Sequence, residues 1–345
     1  MVTSTDTTSR TVLRLTAEEA AHTAELALDV AGRYRTADDP DLIQEAPLLA
    51  ARLPERVQRF LRAFALDQLE GYCTIGGHLI DDERIGRTPV HWKDETRTHH
   101  ELPEEVLLVL YSAVIGEPFG WATQQDGHLV NDVFPIREYE NQLLGTGSKK
   151  ALTLHTEDAF HPYRADYIVL ASLRNPDAVP VVAAEADFTT LSDADLDVLF
   201  AGRFHIIPDS SHLPRNNTVN SEADRLLFDG IEKIINDREP VSVLFGSRLD
   251  PLLRFDASHM TPVEGDDEAA RVFAVASDLL DRARRPCALA PGDFVFLNNH
   301  RVVHARSSFA ARYDGTDRWL KRINITHDLR KSMSLRRPAT PRLIG

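Results

Sequence analysis

Two stretches of this chain carry side chains that bind metals. In Leu152-Thr153-Leu154-His155-Thr156-Glu157-Asp158 an alternating apolar run leads into an imidazole and a carboxylate two residues apart. Side chains of a β-strand alternate between faces, so His155 and Glu157 project to the same side while Thr156 points away. Far downstream, the strand-like Phe294-Val295-Phe296-Leu297 precedes Asn298-Asn299-His300-Arg301-Val302-Val303-His304-Ala305-Arg306, which offers His300 or His304 as a third ligand. Two histidines and one carboxylate occupy one face of an octahedron and leave the other positions open. That set suits non-haem Fe(II) handling a co-substrate and oxygen. Zinc accepts the same ligand types, so a hydrolase remains the competing chemistry.

The elements that must position these residues follow from patterning. Thr16 with Glu19 forms a capping box ahead of an amphipathic helix that Gly32 ends. After an acidic loop over 37–40, Pro54 opens a second helix with Val57, Phe60, Leu61 and Phe64 in one stripe. Tyr72-Cys73-Thr74-Ile75 reads as a strand, His78 as a solvated loop residue, and 103–115 as a third helix. From Trp121 onward the period changes to two. Residues 166–173 read as a strand buried on both faces, 192–200 as a helix capped by Ser192, and 241–245 and 252–255 as strands. A long surface helix is expected over 266–283, a tight turn at Pro291-Gly292-Asp293, and a final strand over 318–326. The polar, proline- and asparagine-rich segment 205–239, with one short helix, has the character of an active-site lid. The expectation is a mainly β protein: a double-stranded β-helix (jelly-roll) core with flanking N-terminal and inserted α-helices. It has a disordered N-terminus over 1–11 and one catalytic domain over 12–330, of which 12–120 is the helical flank. A tail without periodicity occupies 331–345.

Composition bounds the function. The 345 residues carry 39 Lys and Arg against 53 Asp and Glu, a net charge of −14. This argues against a nucleic-acid surface or attraction to anionic lipid. Two cysteines, Cys73 and Cys287, are too few for a disulfide framework, and no run is long enough to span a membrane. A cytoplasmic protein with two free thiols is expected; nothing in the sequence sets an oligomeric state.

The order His155, Glu157, His304, then Arg318 on a further strand resembles the Fe(II)/2-oxoglutarate dioxygenases. Glu in place of the commoner Asp resembles their clavaminate synthase-like branch. The surrounding text, His155-Thr156-Glu157-Asp158-Ala159-Phe160-His161-Pro162-Tyr163-Arg164-Ala165-Asp166-Tyr167 and Leu173-Arg174-Asn175-Pro176-Asp177, is similar to the hydroxylases of free L-arginine, L-asparagine and L-lysine in peptide-antibiotic pathways. The resemblance covers roughly residues 100–330. It implies His155, Glu157 and His304 as iron ligands, with His304 preferred to His300, and Arg318 as the anchor for 2-oxoglutarate. Charge supports the anchor independently. Two imidazoles and a carboxylate leave Fe(II) at +1, a dianionic oxoacid takes the centre to −1, and a guanidinium fork restores neutrality. Alternation puts Arg318, Leu320 and Arg322 on one face, with Arg322 about 13 Å further along. One departure stands out: where relatives often place a threonine near the co-substrate, this chain has Val181-Val182-Ala183-Ala184.

The resemblance further implies that Glu157 separates hydroxylation from halogenation, since halogenating relatives lose this carboxylate. It assigns substrate contacts to Glu157, Gln124, Gln125, Thr146 and Ser148, and the α-carboxylate to Arg322. The side-chain end falls to Asp256 and Ser258, a carboxylate and a hydroxyl that fit either a cation or a neutral urea. Arginine, citrulline and lysine stay open, as do C3 and C4. The implied reaction uses Fe(II), O2 and 2-oxoglutarate and releases succinate and CO2. A zinc hydrolase and a non-catalytic jelly-roll binding protein are the alternatives, and succinate release separates all three.

Overall fold

The computed structural model describes residues 11–345 apart from 68, 69 and 95; the expectation for the N-terminal arm falls, Thr11 aside, outside the described residues. The period-two patterning resolves into two facing sheets. The smaller is antiparallel, in the order Arg284–Cys287, Val181–Ala184, Val303–Arg306, Leu152–His155. The larger runs through Tyr72–Gly76, Phe294–Asn298, Tyr167–Arg174, Trp319–Thr326 and Glu117–Trp121, with Val130–Val133 also paired to Trp319–Thr326. This is the jelly roll that the alternation anticipates. Its interior is filled by the inward residues of both sheets, among them Ile168, Leu170, Val181, Ala183, Val295 and Leu320.

The Tyr167–Arg174 strand shows why both its faces are apolar. Tyr167, Val169, Ala171 and Leu173 face a second core formed with the N-terminal helices, while Ile168 and Leu170 enter the barrel. Helices Ala17–Ala31, Glu55–Asp67 and Leu102–Ile115 form as the capping and stripe signals predict. The last is buried over most of its length at the centre of that layer, with Glu104 and Glu105 of its first turn paired to Arg84 and Lys321. Helices Asp193–Phe200 and Asp267–Arg282 cover the outer face of the smaller sheet through a third core. Both cysteines are free thiols, and among the described residues no helix is long and apolar enough to cross a membrane.

Four local expectations are corrected. A helix, Pro40–Ala50, follows the 37–40 loop. Pro40 sits at its first turn, where a missing N–H costs nothing, and Asp39 caps it. Segment 205–239 contains a 15-residue helix, Glu222–Asn236, started by a Ser221/Asp224 capping box. The tail, which showed no periodicity, contains a strand, Thr340–Ile344, that pairs in parallel with Glu117–Trp121. His78 is buried, with Nδ1 2.7 Å from the Gly292 carbonyl and Nε2 2.5 Å from the Tyr111 hydroxyl. Burial lowers its pKa to about 4. Gly292 must be glycine: its φ is +84°, and a Cβ there would lie 2.1 Å from the His78 carbonyl oxygen.

Candidate metal centre and co-substrate pocket

Strand pairing brings the sequence-distant ligands together. His155 and His304 are direct cross-strand partners, and their rings lie 4.1 Å apart between centroids. Glu157, just past the end of the first strand, points Oε2 at both rings, 3.2 Å from His304 Nε2 and 3.7 Å from His155 Nε2. One ligand atom from each of the three residues falls within a 4.8 Å cluster, a spacing that an ion can bridge. His300 is elsewhere, with Nε2 2.7 Å from Asp166 Oδ1.

The surroundings prepare these groups for a metal. His155 Nδ1–H donates to the Thr153 carbonyl at 2.8 Å, which leaves Nε2 as the free lone pair. Asn299 clamps Glu157 from both sides: its Oδ1 accepts the Glu157 N–H at 2.7 Å and its Nδ2 donates to the Glu157 carbonyl at 3.0 Å. Without a cation the site carries its own positive charge. Burial opposes a charged His155, but Glu157 overrides it and raises that pKa to about 9. Burial and the charge on His155 lower His304 to about 4. Glu157, although buried, is held well below the usual carboxylate range by Arg322 and the two histidines.

The three residues open onto a cavity of about 950 Å³, its mouth included, between the sheets. Arg318 lies on its wall, 5% exposed, and among the described residues its side chain has no hydrogen-bond or ion-pair partner; its Nε is left unsatisfied. Burial and the neighbouring Arg306 pull its pKa down to about 9. Such a group demands an anion. Arg306, which the sequence reading did not assign, is also on the wall and holds the Gly147 and Lys150 carbonyls. Val181 and Leu170 line the same chamber, so apolar surface stands where the threonine was looked for.

Alternation along the final strand is borne out, since Arg318, Leu320 and Arg322 all line the cavity. Lys321 faces the opposite way, buried against Glu101, Glu105 and Asp132 at 3.0, 2.6 and 2.7 Å. Arg322 contacts Glu157 Oε1, the oxygen turned away from the histidines, and reaches Gln124 Oε1 at 2.5 Å and Asn131 Oδ1 at 3.0 Å. Gln124, Gln125 and Thr146 are on the wall as well, although the Gln125 amide also braces the Asp132 backbone with two 2.8 Å bonds. Ser148, Asp256 and Ser258 are not. Ser148 lies 3.2 Å from the Tyr313 hydroxyl, and Ser258 lies 2.7 Å from that of Thr153. Asp256 sits beside His155 across an isolated bridge, but its carboxylate takes the N–H groups of Ser258 and His259, each at 2.8 Å. Segment 205–239 supplies cavity residues that the sequence did not single out. Asp209 and Ser211 line the cavity, and the Ser211 hydroxyl accepts from Gln124 Nε2 at 2.7 Å. A buried pair pins this segment: His212 Nε2 lies 2.8 Å from Asp158 Oδ1, immediately after Glu157.

Comparison with known proteins agrees with this geometry. Residues 234–324 match the family model described as taurine catabolism dioxygenase TauD, TfdA family. An L-ornithine/L-arginine 3-hydroxylase of Catenulispora acidiphila is 40% identical, over 96% of this chain and 99% of that one. The chain belongs to the TauD/TfdA dioxygenases. An enduracididine beta-hydroxylase of Streptomyces hygroscopicus is 37% identical over the same shares. The crystal structure of the non-haem iron oxygenase OrfP, in complex with Fe, succinate and (3S)-hydroxy-L-Arg, superposes with a TM-score of 0.93 at 51% identity, covering 97% of this chain and 99% of that one.

As a TauD/TfdA dioxygenase the protein uses iron and 2-oxoglutarate and hydroxylates its substrate. The residues present fit both groups. The histidine–glutamate cluster is a donor set for Fe(II). The unpartnered Arg318 guanidinium on the same wall is the complement of a carboxylate.

Proposed function

We propose that this protein hydroxylates a free L-amino acid with a long basic side chain, L-arginine first, at C3. The observation that carries the reading is one cavity holding a three-residue metal donor set, an unpaired guanidinium and a second guanidinium on the next inward position but one. His155, Glu157 and His304 hold Fe(II), and Arg318 receives the distal carboxylate of 2-oxoglutarate. When bound, iron and the oxoacid supply the oxidising power, ending in succinate, CO2 and one oxygen atom inserted into a C–H bond.

The chain's own residues do the positioning. Arg322 takes the substrate α-carboxylate, with Gln124 beside it, and the Glu157 oxygen it now contacts turns to the α-amino group. Thr146 and Gln125 line the path. At the far end, Asp209 and Ser211 of the lid meet the guanidinium. Asp256 joins them when the substrate's N–H groups replace the His259 ring, whose Nδ1 lies 3.1 Å from Asp256 Oδ2. The lid excludes water as it closes over these contacts. Attack at C3 is supported by the L-ornithine/L-arginine 3-hydroxylase, the enduracididine beta-hydroxylase and the (3S)-hydroxy-L-Arg bound in OrfP. Their company also favours a role in making a modified amino acid for a natural product.

The test is succinate formation by the purified protein with Fe(II), ascorbate, oxygen and 2-oxoglutarate across a panel of free L-amino acids, with mass spectrometry of the products. Succinate matched by arginine heavier by one oxygen is the expected result. Iron-dependent succinate with no hydroxylated arginine overturns the substrate, and no succinate at all overturns the assigned chemistry.

A further inference from the structure

A second cavity, of about 1440 Å³ including its mouth, shares no wall residue with the catalytic one. Arg164, Arg254, His300, His327 and Lys331 line it. Arg164 is 5% exposed, its Nε is unsatisfied, and its one hydrogen bond is a donation from a terminal nitrogen to His300 Nδ1 at 3.3 Å. That bond fixes the His300 proton on Nε2, where it meets Asp166. Arg254 has no side-chain hydrogen bond or ion pair among the described residues, and burial lowers its pKa; burial and the Arg254 charge lower that of Arg164 to about 9. The carboxylates nearby are already committed. Asp166 takes His300, the Thr326 hydroxyl and the His327 N–H, and Asp328 is paired with Arg330.

Arg164 stacks on the Phe245 ring at 5.2 Å and lies in the field of Asp166, yet among the described residues no carboxylate is hydrogen-bonded to Arg164 or to the half-buried Arg254, and both line the cavity with open donors. We infer that this cavity is a binding site for a phosphate-type dianion, held by Arg164, Arg254 and Lys331. An oxyanion with several acceptors satisfies the open donors of both forks at once. The site is built on rigid backbone, since the Leu253 N–H donates to the His300 carbonyl at 2.7 Å and the Arg254 N–H to that of Val243 at 2.8 Å. It also gathers the segments that follow His155, precede Asp256 and lead into His304, so occupancy ties together the backbone that carries the metal donors.

The experiment is calorimetric titration of inorganic phosphate into the full chain, loaded with Fe(II) and saturating 2-oxoglutarate under nitrogen so that Arg318 is occupied. Saturable binding is expected. Arg254→Gln weakens it roughly tenfold or more, Arg254→Lys restores part, Lys331→Ala weakens it less, and Arg318→Gln leaves it in place. Glycerol phosphate in a parallel titration separates a phosphomonoester from the free ion as the source of the dianion. Binding that survives Arg254→Gln and disappears in Arg318→Gln overturns the site, as does the absence of saturable binding. The readout is binding, so it is independent of whether arginine proves to be the substrate.

Discussion

Replacing Arg318 should make the ligand-free protein more stable and, at the same time, unable to hold its co-substrate. Arg318 is buried without a partner, and its pKa falls from the ordinary 12.5 to about 9. That difference corresponds to a penalty on the order of 5 kcal/mol for carrying the charge in the folded state. The penalty is complete below pH 9, where the folded protein must hold the cation, and fades as pH rises from about 9 towards 12.5. Arg318→Met removes the charge and keeps most of the length. With part of the gain offset by lost packing, the ligand-free Tm at pH 7.5 should rise by several degrees, at roughly 2 °C per kcal/mol. The advantage should shrink at pH 9.5. Wild type at one hundred times Kd of 2-oxoglutarate should gain about 2.7 kcal/mol. The variant should gain almost nothing, because loss of a buried guanidinium–carboxylate pair costs about 2–5 kcal/mol, or roughly 30- to 5,000-fold in affinity. Differential scanning fluorimetry with and without 2-oxoglutarate, anaerobically with Fe(II), reads both effects. A variant that melts several degrees lower than wild type yet still responds fully to 2-oxoglutarate would refute the reasoning.

Four further outcomes are expected. Arg322→Gln should lower kcat/KM for the amino acid by roughly 30-fold or more and raise the ratio of succinate to hydroxylated product; unchanged coupling would remove Arg322 from the substrate. Asp209→Asn should raise KM for arginine with little change in Tm, and an effect on Tm alone would make Asp209 a purely structural lid residue. Asn299→Ala strands the Glu157 N–H and carbonyl and the Ala165 carbonyl. A loss of about 2–4 kcal/mol in urea unfolding and weaker iron binding, by roughly 10- to 100-fold, should follow, and wild-type values in both would contradict the clamp. Iron binding should also titrate. His155 carries a proton below pH 9 in the metal-free protein, so apparent affinity should climb about tenfold per pH unit from 7 to about 9 and then level off; a flat profile by anaerobic titration would show that no proton is displaced.

The parts of the fold written in local patterns were legible. Period two gave His155 with Glu157 and Arg318 with Arg322, and a capping box at Thr16 and an N-cap at Ser192 gave helix starts. What escaped depends on partners distant in sequence. Thr340–Ile344 has no apolar alternation to announce it and is a strand because Glu117–Trp121 and Arg336–Arg337 pair with it. Asp209 and Ser211 lie in a loop, where no period tells which side chains turn inward. Asn299 reads as one polar residue among several, and its worth appears only when the Glu157 backbone arrives beside it. Asp256 was the instructive difference: its type suited a guanidinium, but a short acid followed by open N–H groups folds back on its own turn first. His78 was misread because a loop position says nothing of the Tyr111 hydroxyl beneath it.

The direct pairing of His155 with His304 has a consequence for how such a chain tolerates change. In a sheet, slipping the register by one residue turns every side chain to the opposite face. An insertion of one residue in the turn over 299–302 would therefore swing His304 away from the cavity while leaving composition, core volume and every lid contact nearly untouched. The same insertion in the exposed stretch 237–240, after the lid helix, alters no strand that carries a metal donor. Length variation should thus be free over 237–240 and forbidden in that short turn, and a set of single-residue insertions scanned along the chain would map the register as a pattern of dead and living variants.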